Sequence, residues 1–164
     1  MQRALVTVAV TAVVATMLAG CSPGHWPTLA LVLVDGRPAA LVDPCPADRL
    51  TLLVVSEVRG GDASDWPQWH SQGERPLADG ETVPLLDDPR GWSTTRAEVT
   101  ELGPDRAYRA QAWGEQVSLG VGFTLADLNG LATDEVWSTS DGDTGRAMPR
   151  QQFERSANAD CSRR

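Results

Sequence analysis

The sequence predicts an all-β protein, an antiparallel β-sandwich with one short helical turn. Short runs rich in Val, Leu and Ala recur along the chain, and Gly, Pro and Asp residues separate them. Such runs between turn signals are typical of the strands of sandwiches and barrels. Strands do not alternate with long helices, which excludes a doubly wound sheet. No period of about 20 to 50 residues repeats, which argues against a solenoid.

The clearest strand signals lie near the start of the domain. Thr28–Val34 is a continuous aliphatic and β-branched run, and Asp35-Gly36 follows it as a strong hairpin signal because both residue types tolerate positive φ. Residues 37–42 form the returning strand, which Pro38 restricts to a sheet edge or to its own first positions. The most apolar stretch, residues 50–58, predicts a strand buried on both faces.

The second half of the chain mixes clear and ambiguous segments. Thr124 and Asp127 have the spacing of a capping box, which predicts one short helical turn within 124–131. Gly120 and Gly122 indicate a bulge or a close backbone approach. The remaining segments are assigned in chain order: a polar, turn-rich loop at 65–79, a short strand at 81–86, a strand or helix at 92–102, strands at 106–113, 116–125 and 135–139, a turn at 141–145, and a polar tail.

This series of strands favours an immunoglobulin-like or fibronectin-like sandwich as a single domain over residues 28–164. Cys45 and Cys161 lack the Cys, Trp, Cys spacing of antibody domains.

The N-terminus has the pattern of an export signal. Arg3 precedes the apolar run 4–18, and Leu18, Ala19, Gly20 and Cys21 follow in sequence. These residues resemble the lipobox of a bacterial lipoprotein. The resemblance implies a signal peptide over 1–20, cleavage before Cys21, and a membrane anchor of diacylglycerol on the Cys21 thiol with a further acyl group such as palmitate. An ordinary signal peptide and an uncleaved anchor are the alternatives.

Residues 21–27 then form a short tether between lipid and domain. The mature domain resembles uncharacterised actinobacterial lipoproteins in Trp26, in Asp35-Gly36 and in Cys45-Pro46, and this resemblance implies no activity. Because the tether is so short, we expect the domain to be secreted but held at the outer face of the cytoplasmic membrane. The sheet that begins at Thr28 is expected to lie nearest the bilayer.

Charge limits the partners of the domain. The chain carries a net charge of −8 at pH 7, and all 14 basic residues are Arg. An excess of acid argues against nucleic acid, whose phosphates need a basic surface. It also argues against electrostatic adhesion to anionic lipid, so membrane attachment is assigned to the acyl anchor alone.

Two cysteines remain if Cys21 is lipidated. In an exported domain, Cys45 and Cys161 are expected to form a disulfide. This bond would hold the polar tail against the first sheet. A cysteine-based metal site would need more ligands at short spacing, so no metal or other cofactor is predicted.

Several residues are candidates for catalytic or metal-binding groups. His70 could serve a hydrolytic triad, but the sequence has no Gly-x-Ser-x-Gly motif. The carboxylate pairs Asp87-Asp88 and Glu98 with Glu101 could act in a glycosidase, or simply belong to an acidic surface. Asp141 and Asp143 resemble the opening of a calcium loop, although a hairpin turn explains them equally well.

Tryptophan is the unusual aromatic choice, with six Trp against one Tyr and two Phe. Trp92, Trp113 and Trp137 fall in or beside predicted strands and are interpreted as core or sheet-face residues. Trp66, Trp69 and His70 instead form a candidate binding patch, or a loop folded over one end of the sandwich. The sequence therefore favours a non-catalytic binding or assembly module that contacts an envelope protein or wall glycan. The alternative is an envelope hydrolase that uses carboxylates or His70.

Overall fold

A computed structural model describes residues 28–43, 50–77, 80–114, 120–139 and 144–161. Within these ranges the elements, in chain order, are β1 Thr28–Val34, β2 Arg37–Asp43, β3 Leu52–Glu57, a 3₁₀ turn Ala63–Asp65, β4 Gln68–Gly73, β5 Glu81–Pro84, β6 Trp92–Ala97, β7 Ala107–Trp113, β8 Val121–Thr124, α1 Leu125–Asn129, β9 Glu135–Ser138, β10 Arg146–Pro149 and α2 Arg150–Cys161.

The strands form two antiparallel five-stranded sheets that pack against each other, which confirms the predicted β-sandwich. The first sheet has the order β10-β9-β1-β2-β5, and the second has the order β6-β4-β3-β7-β8. In the second sheet β4 and β6 are neighbours, although β5, which lies between them in the chain, belongs to the first sheet. In the first sheet, β9 and β10, which follow β8 in the chain, extend the sheet beyond β1.

The β1–β2 hairpin forms as its turn residues predict. Asp35 and Gly36 have φ of 51° and 74°, the positive values that a two-residue hairpin turn requires. Pro38 is the second residue of β2, which lies between β1 and β5 rather than at an edge. Of the two predicted locations for Pro38, a sheet edge or the first positions of the strand, the structure shows the second.

The predicted doubly buried strand is β3, at the centre of the second sheet. Leu53 and Val55 point into the core between the sheets, while Val54 and Ser56, on the outer face, are also buried. The inter-sheet core also takes side chains from β1, β2, β4, β5, β6, β7 and β8: Leu29, Leu31, Ala40, Val42, Trp69, Val83, Trp92, Tyr108, Ala110, Ala112, Val121 and Phe123.

A local signal also places the short helix correctly. The Thr124 hydroxyl accepts from the Asp127 N–H at 3.2 Å, and the Asp127 carboxylate accepts from the Thr124 N–H at 2.8 Å. This is the predicted capping box at the start of α1. At Gly120, a Cβ atom would overlap the Arg109 guanidinium, so that side chain would have to move. Because this contact is with a side chain, the bulge or close backbone approach expected at Gly120 and Gly122 stays a prediction.

Two segments differ from the sequence expectation in the middle of the chain. The predicted loop 65–79 contains β4, because Gln68 to Gly73 pair with both β3 and β6. The ambiguous segment 92–102 begins with strand β6 and has no helix. In both cases pairing with a neighbouring strand, which propensity does not report, decides the structure.

The polar segment after residue 145 has more structure than a tail. It forms β10 and then the 12-residue helix α2. Phe153 of α2 packs with the outer-face residues of the first sheet, and Ala157, one turn later, is also buried. The outer-face residues in this second cluster are Ala30, Val32, Ala39, Leu41 and Val136, with Met148 beside them. The helix thus adds a third layer to the sandwich.

Some sequence predictions fall outside the described residues. These are the signal peptide, Cys21, the tether, Cys45 and the calcium candidates Asp141 and Asp143. Cys161 is the last residue of α2, but its side chain is not among those described. The lipid anchor and the disulfide stay predictions.

Candidate functional site

The outer face of the second sheet is the candidate site. On β4, alternate side chains point to opposite faces, so Trp69 and Ser71 lie inside while Gln68, His70 and Gln72 lie outside. On β6, Arg96 pairs directly with His70. Because residues 68–73 form a strand rather than the expected loop, His70 lies on an open sheet surface.

Four side chains on this surface are joined by hydrogen bonds. His70 Nε2 lies 2.8 Å from Gln68 Oε1, and Arg96 Nη1 donates to the same oxygen at 2.9 Å. Arg96 Nη2 donates to the Glu98 carboxylate at 3.0 Å, and Glu98 accepts from the Gln68 N–H at 3.1 Å. We call this group, Gln68, His70, Arg96 and Glu98, the His70 face.

These hydrogen bonds determine which ring nitrogen of His70 carries the proton. Arg96 can only donate, so the shared Gln68 atom is the amide oxygen and His70 Nε2 carries the proton that it donates. Burial lowers the pKa of His70 below its ordinary value, the positive charge of Arg96 lowers it further, and Glu98 partly opposes them. The lowered pKa favours the neutral imidazole.

The surface continues across the sheet from the His70 face. His70 pairs with Val54, which pairs with Gln111 of β7, and Gln68 pairs with Ser56, which pairs with Arg109. At the end of β7, Trp113 has 40% of its surface exposed. The alternation along β7 places Trp113 on the same face as Arg109 and Gln111, and this signal was present in the sequence.

The predicted patch of Trp66, Trp69 and His70 is divided by the structure. Trp69 is only 2% exposed and belongs to the core between the sheets, where its indole N–H donates to Thr94 Oγ1 at 3.3 Å. Trp66 is half-buried, and its buried indole N–H has no hydrogen-bond partner among the described residues. Of the other Trp residues, Trp92 lies in the core and Trp137 packs against it, as expected.

The candidate carboxylates make separate contacts. Asp88 accepts from the Ser71 hydroxyl at 2.7 Å and from the Thr94 N–H at 2.8 Å. Burial raises the pKa of Asp88, but these hydrogen bonds outweigh it and lower the pKa overall. Asp87 forms an exposed ion pair with Arg37 at 3.5 Å. Glu98 has a lowered pKa through Arg96 and the Gln68 N–H.

One charged cluster was not predicted from the sequence. Glu57 is buried at the end of β3, and its two oxygens accept from Arg59 Nε and Arg106 Nη1, both at 2.8 Å. The bond from Arg59 lowers the pKa of Glu57, burial opposes it, and Arg106 lowers it further. Because the Arg106 partner lies 49 residues away in the chain, local patterns could not reveal this cluster. It ties β3 to the segment before β7.

Three clefts lie on the surface of the described residues. A cleft of about 310 Å³ is mainly apolar, and its one carboxylate, Asp127, is engaged in the capping box. A second, of about 270 Å³, lies beside the β1–β2 turn and includes Arg150. A third, of about 370 Å³, lies beside Gly73. His70 lines none of these three.

Over the described part of the chain, no group of three His, Cys, Asp or Glu residues is placed to hold a metal ion. In those same ranges, no helix has the length and apolar character needed to cross a membrane. No protein-family model, curated protein or solved structure matches this chain.

Proposed function

We propose that this protein is a lipid-anchored, non-catalytic binding or assembly module at the outer face of the cytoplasmic membrane, with the His70 face as its contact surface. The proposed membrane location is supported by the lipobox-like residues 18–21. The partner would be an envelope protein or a wall glycan.

The contact surface is assigned to the second sheet because the outer faces of the two sheets differ. The outer face of the first sheet is apolar and packs against Phe153 of α2. The outer face of the second sheet carries amide, imidazole and guanidinium groups, and the longer helix α2 packs against β9 and β10 of the first sheet. A sheet face with polar side chains in fixed positions is suited to recognition of a partner.

The hydrogen bonds of the His70 face favour binding because they hold its side chains in place before a partner arrives. Arg96 is fixed by two partners, Gln68 and Glu98. A long side chain that is already ordered loses less conformational freedom when it is buried in an interface.

The same contacts favour a binding role over hydrolysis. His70 is bonded to an amide, whereas a catalytic histidine activates a hydroxyl or thiol and is itself oriented by a carboxylate. Asp88 and Glu98 accept hydrogen bonds that join strands of the second sheet. These carboxylates therefore have structural partners in the resting fold.

Site-specific crosslinking on intact cells tests the surface. A photoreactive residue in place of Gln111, beside the His70 face, should give a defined crosslinked product, and Arg96→Ala should remove it because the ordered cation is lost. The matched control is the same photoreactive residue in place of Arg155, which is exposed on α2. Equal crosslinking from both positions, or a product that Arg96→Ala leaves unchanged, would refute the surface.

The lipid anchor and the membrane location are tested with the same cells. Cys21→Ser should remove the acyl mass and release the protein from the membrane fraction. If mass, processing and membrane fraction are unchanged by Cys21→Ser, the lipid anchor is wrong whatever the crosslinking shows.

A further inference from the structure

Backbone hydrogen bonds identify which strand ends share one end of the sandwich. In the first sheet, β1 begins at Thr28, which pairs with Asp43 at the end of β2. Gly80, just before β5, donates its N–H to Val42 O at 3.0 Å. The start of β1, the end of β2 and the start of β5 therefore lie together.

The second sheet joins this end through the segment before β5. Leu77 donates its N–H to Leu50 O at 3.2 Å, and Thr51 donates to Trp113 O at 2.8 Å. Arg75 also binds both carboxylate oxygens of Glu81, at 2.7 and 3.2 Å, which ties this segment to the start of β5. We call this end of the sandwich, where β1 begins and β7 ends at Trp113, the Thr28 end.

The exposed apolar side chains differ between the two ends. Val34 and Val58, which are 40% and 39% exposed, lie at the end opposite Thr28. Val34 is the last residue of β1, and Val58 donates its N–H to Ala107 O at the start of β7. Among the large hydrophobic side chains exposed within the described ranges, Trp113 alone lies at the Thr28 end. The seven residues of β7 span about 20 Å between the two ends.

A single exposed apolar residue is ordinary on a protein surface, so exposure by itself decides nothing. What distinguishes Trp113 is its position at the end of the domain to which the proposed lipid anchor is attached. If Cys21 is lipidated, only residues 22–27 separate it from Thr28, and a fully extended chain of that length spans about 25 Å at most. The acyl chains therefore hold the Thr28 end close to the bilayer.

Tryptophan also has the chemistry of a membrane-interface residue. Its ring is largely apolar but carries one N–H donor, so it is favoured at the level of the lipid headgroups. Leu52, half-buried, pairs with Trp113 across β3 and β7 and widens the apolar spot. At this end of the sandwich, Arg75 and Glu81 form an ion pair, so their opposite charges cancel.

We propose that the Thr28 end lies against the bilayer and that Trp113 inserts its indole at the level of the lipid headgroups. This inference rests on the proposed lipid anchor at Cys21. The His70 face then lies to the side of the domain, since Gln111, two residues before Trp113, is in the row of His70 and Val54. The β1–β2 turn points away from the membrane.

Tryptophan quenching by labelled lipid tests the proposal. The full chain, processed and acylated in cells, is reconstituted into vesicles of phosphatidylcholine and phosphatidylglycerol that carry a shallow nitroxide label. All proteins carry Trp26→Phe, because Trp26 lies in the tether and would itself report the membrane. In this background, shallow label should quench part of the emission. Trp113→Phe should remove the quenchable part.

Trp66→Phe is the matched control. It changes a half-buried Trp at the opposite end, where Glu57 donates its N–H to Pro67 O, and should leave the quenchable emission in place. Quenching that survives Trp113→Phe would overturn the insertion of Trp113, provided that the protein floats with the vesicles and carries the acyl mass. A protein without acyl mass that does not float would instead overturn the proposed anchor. Far-ultraviolet circular dichroism confirms that each variant is folded.

Discussion

At the scale of single residues, one step along β4 separates a core residue from a surface residue. Trp69 and His70 are neighbours in the chain, yet Trp69 packs between the sheets and His70 faces outward. Successive side chains of a strand point to opposite faces, so neighbours in sequence cannot share a flat patch once the segment is extended. The same alternation brings His70 together with Arg96 and, across the sheet, with Gln111.

This assignment predicts opposite outcomes for two tryptophan substitutions. Trp69→Ala should lower the free energy of unfolding by about 3–5 kcal/mol, since it leaves a cavity in the core. Trp113→Ala should change it by about 0.5 kcal/mol or less, because the side chain is exposed. Urea unfolding followed by circular dichroism, on protein free of membrane, measures both. Similar losses for the two variants would contradict the inward position of Trp69.

At the scale of secondary-structure elements, α2 shows how a mostly polar segment can still form a packed helix. Only Phe153 and Ala157 of its described side chains are buried, and they lie four residues apart on one side of the helix. A 12-residue helix is marginal in isolation and depends on tertiary packing. Phe153, Ala157 and Ala159 within a polar segment were too weak a signal, so the sequence indicated a tail. In contrast, α1 was predicted because its capping box lies within four residues.

If packing on the first sheet holds α2, Phe153→Ala should lower the free energy of unfolding by about 3–5 kcal/mol. Gln151→Ala is the control, since it changes an exposed position of the same helix and should have an effect of about 0.5 kcal/mol or less. Chemical denaturation of both variants provides the measurement. A Phe153→Ala variant as stable as the Gln151→Ala variant would show that α2 contributes little to the fold.

At the scale of the whole molecule, the fold is a sandwich with an added helical layer on one side. The helix that carries Cys161 lies against the first sheet, and Phe153 packs there with Ala39 and Leu41 of β2, the strand that precedes Cys45. Packing of α2 through Phe153 places this segment on the first sheet. The bond between Cys45 and Cys161 stays a prediction.

The disulfide predicts a definite thiol count and a stability effect. Thiol titration of the denatured protein should find two more thiols after reduction than before. The double variant Cys45→Ser and Cys161→Ser should lose about 4–5 kcal/mol of unfolding free energy, because the bond closes a loop of more than 100 residues. Equal thiol counts before and after reduction would rule the bond out.

Local chemistry in the sequence was sufficient for the β class, for the Asp35-Gly36 hairpin, for the doubly buried β3 and for the capped turn at Thr124. Each of these depends on residues within a few positions of one another. The sheet that each strand joins, the strand character of β4, the surface shared by His70 and Arg96, and the position of α2 were decided by the tertiary structure alone. They depend on contacts between distant segments, such as Glu57 with Arg106, 49 residues apart, and Ser138 with Leu29, 109 residues apart. Because such pairs form only when the whole chain folds, a local pattern cannot report them.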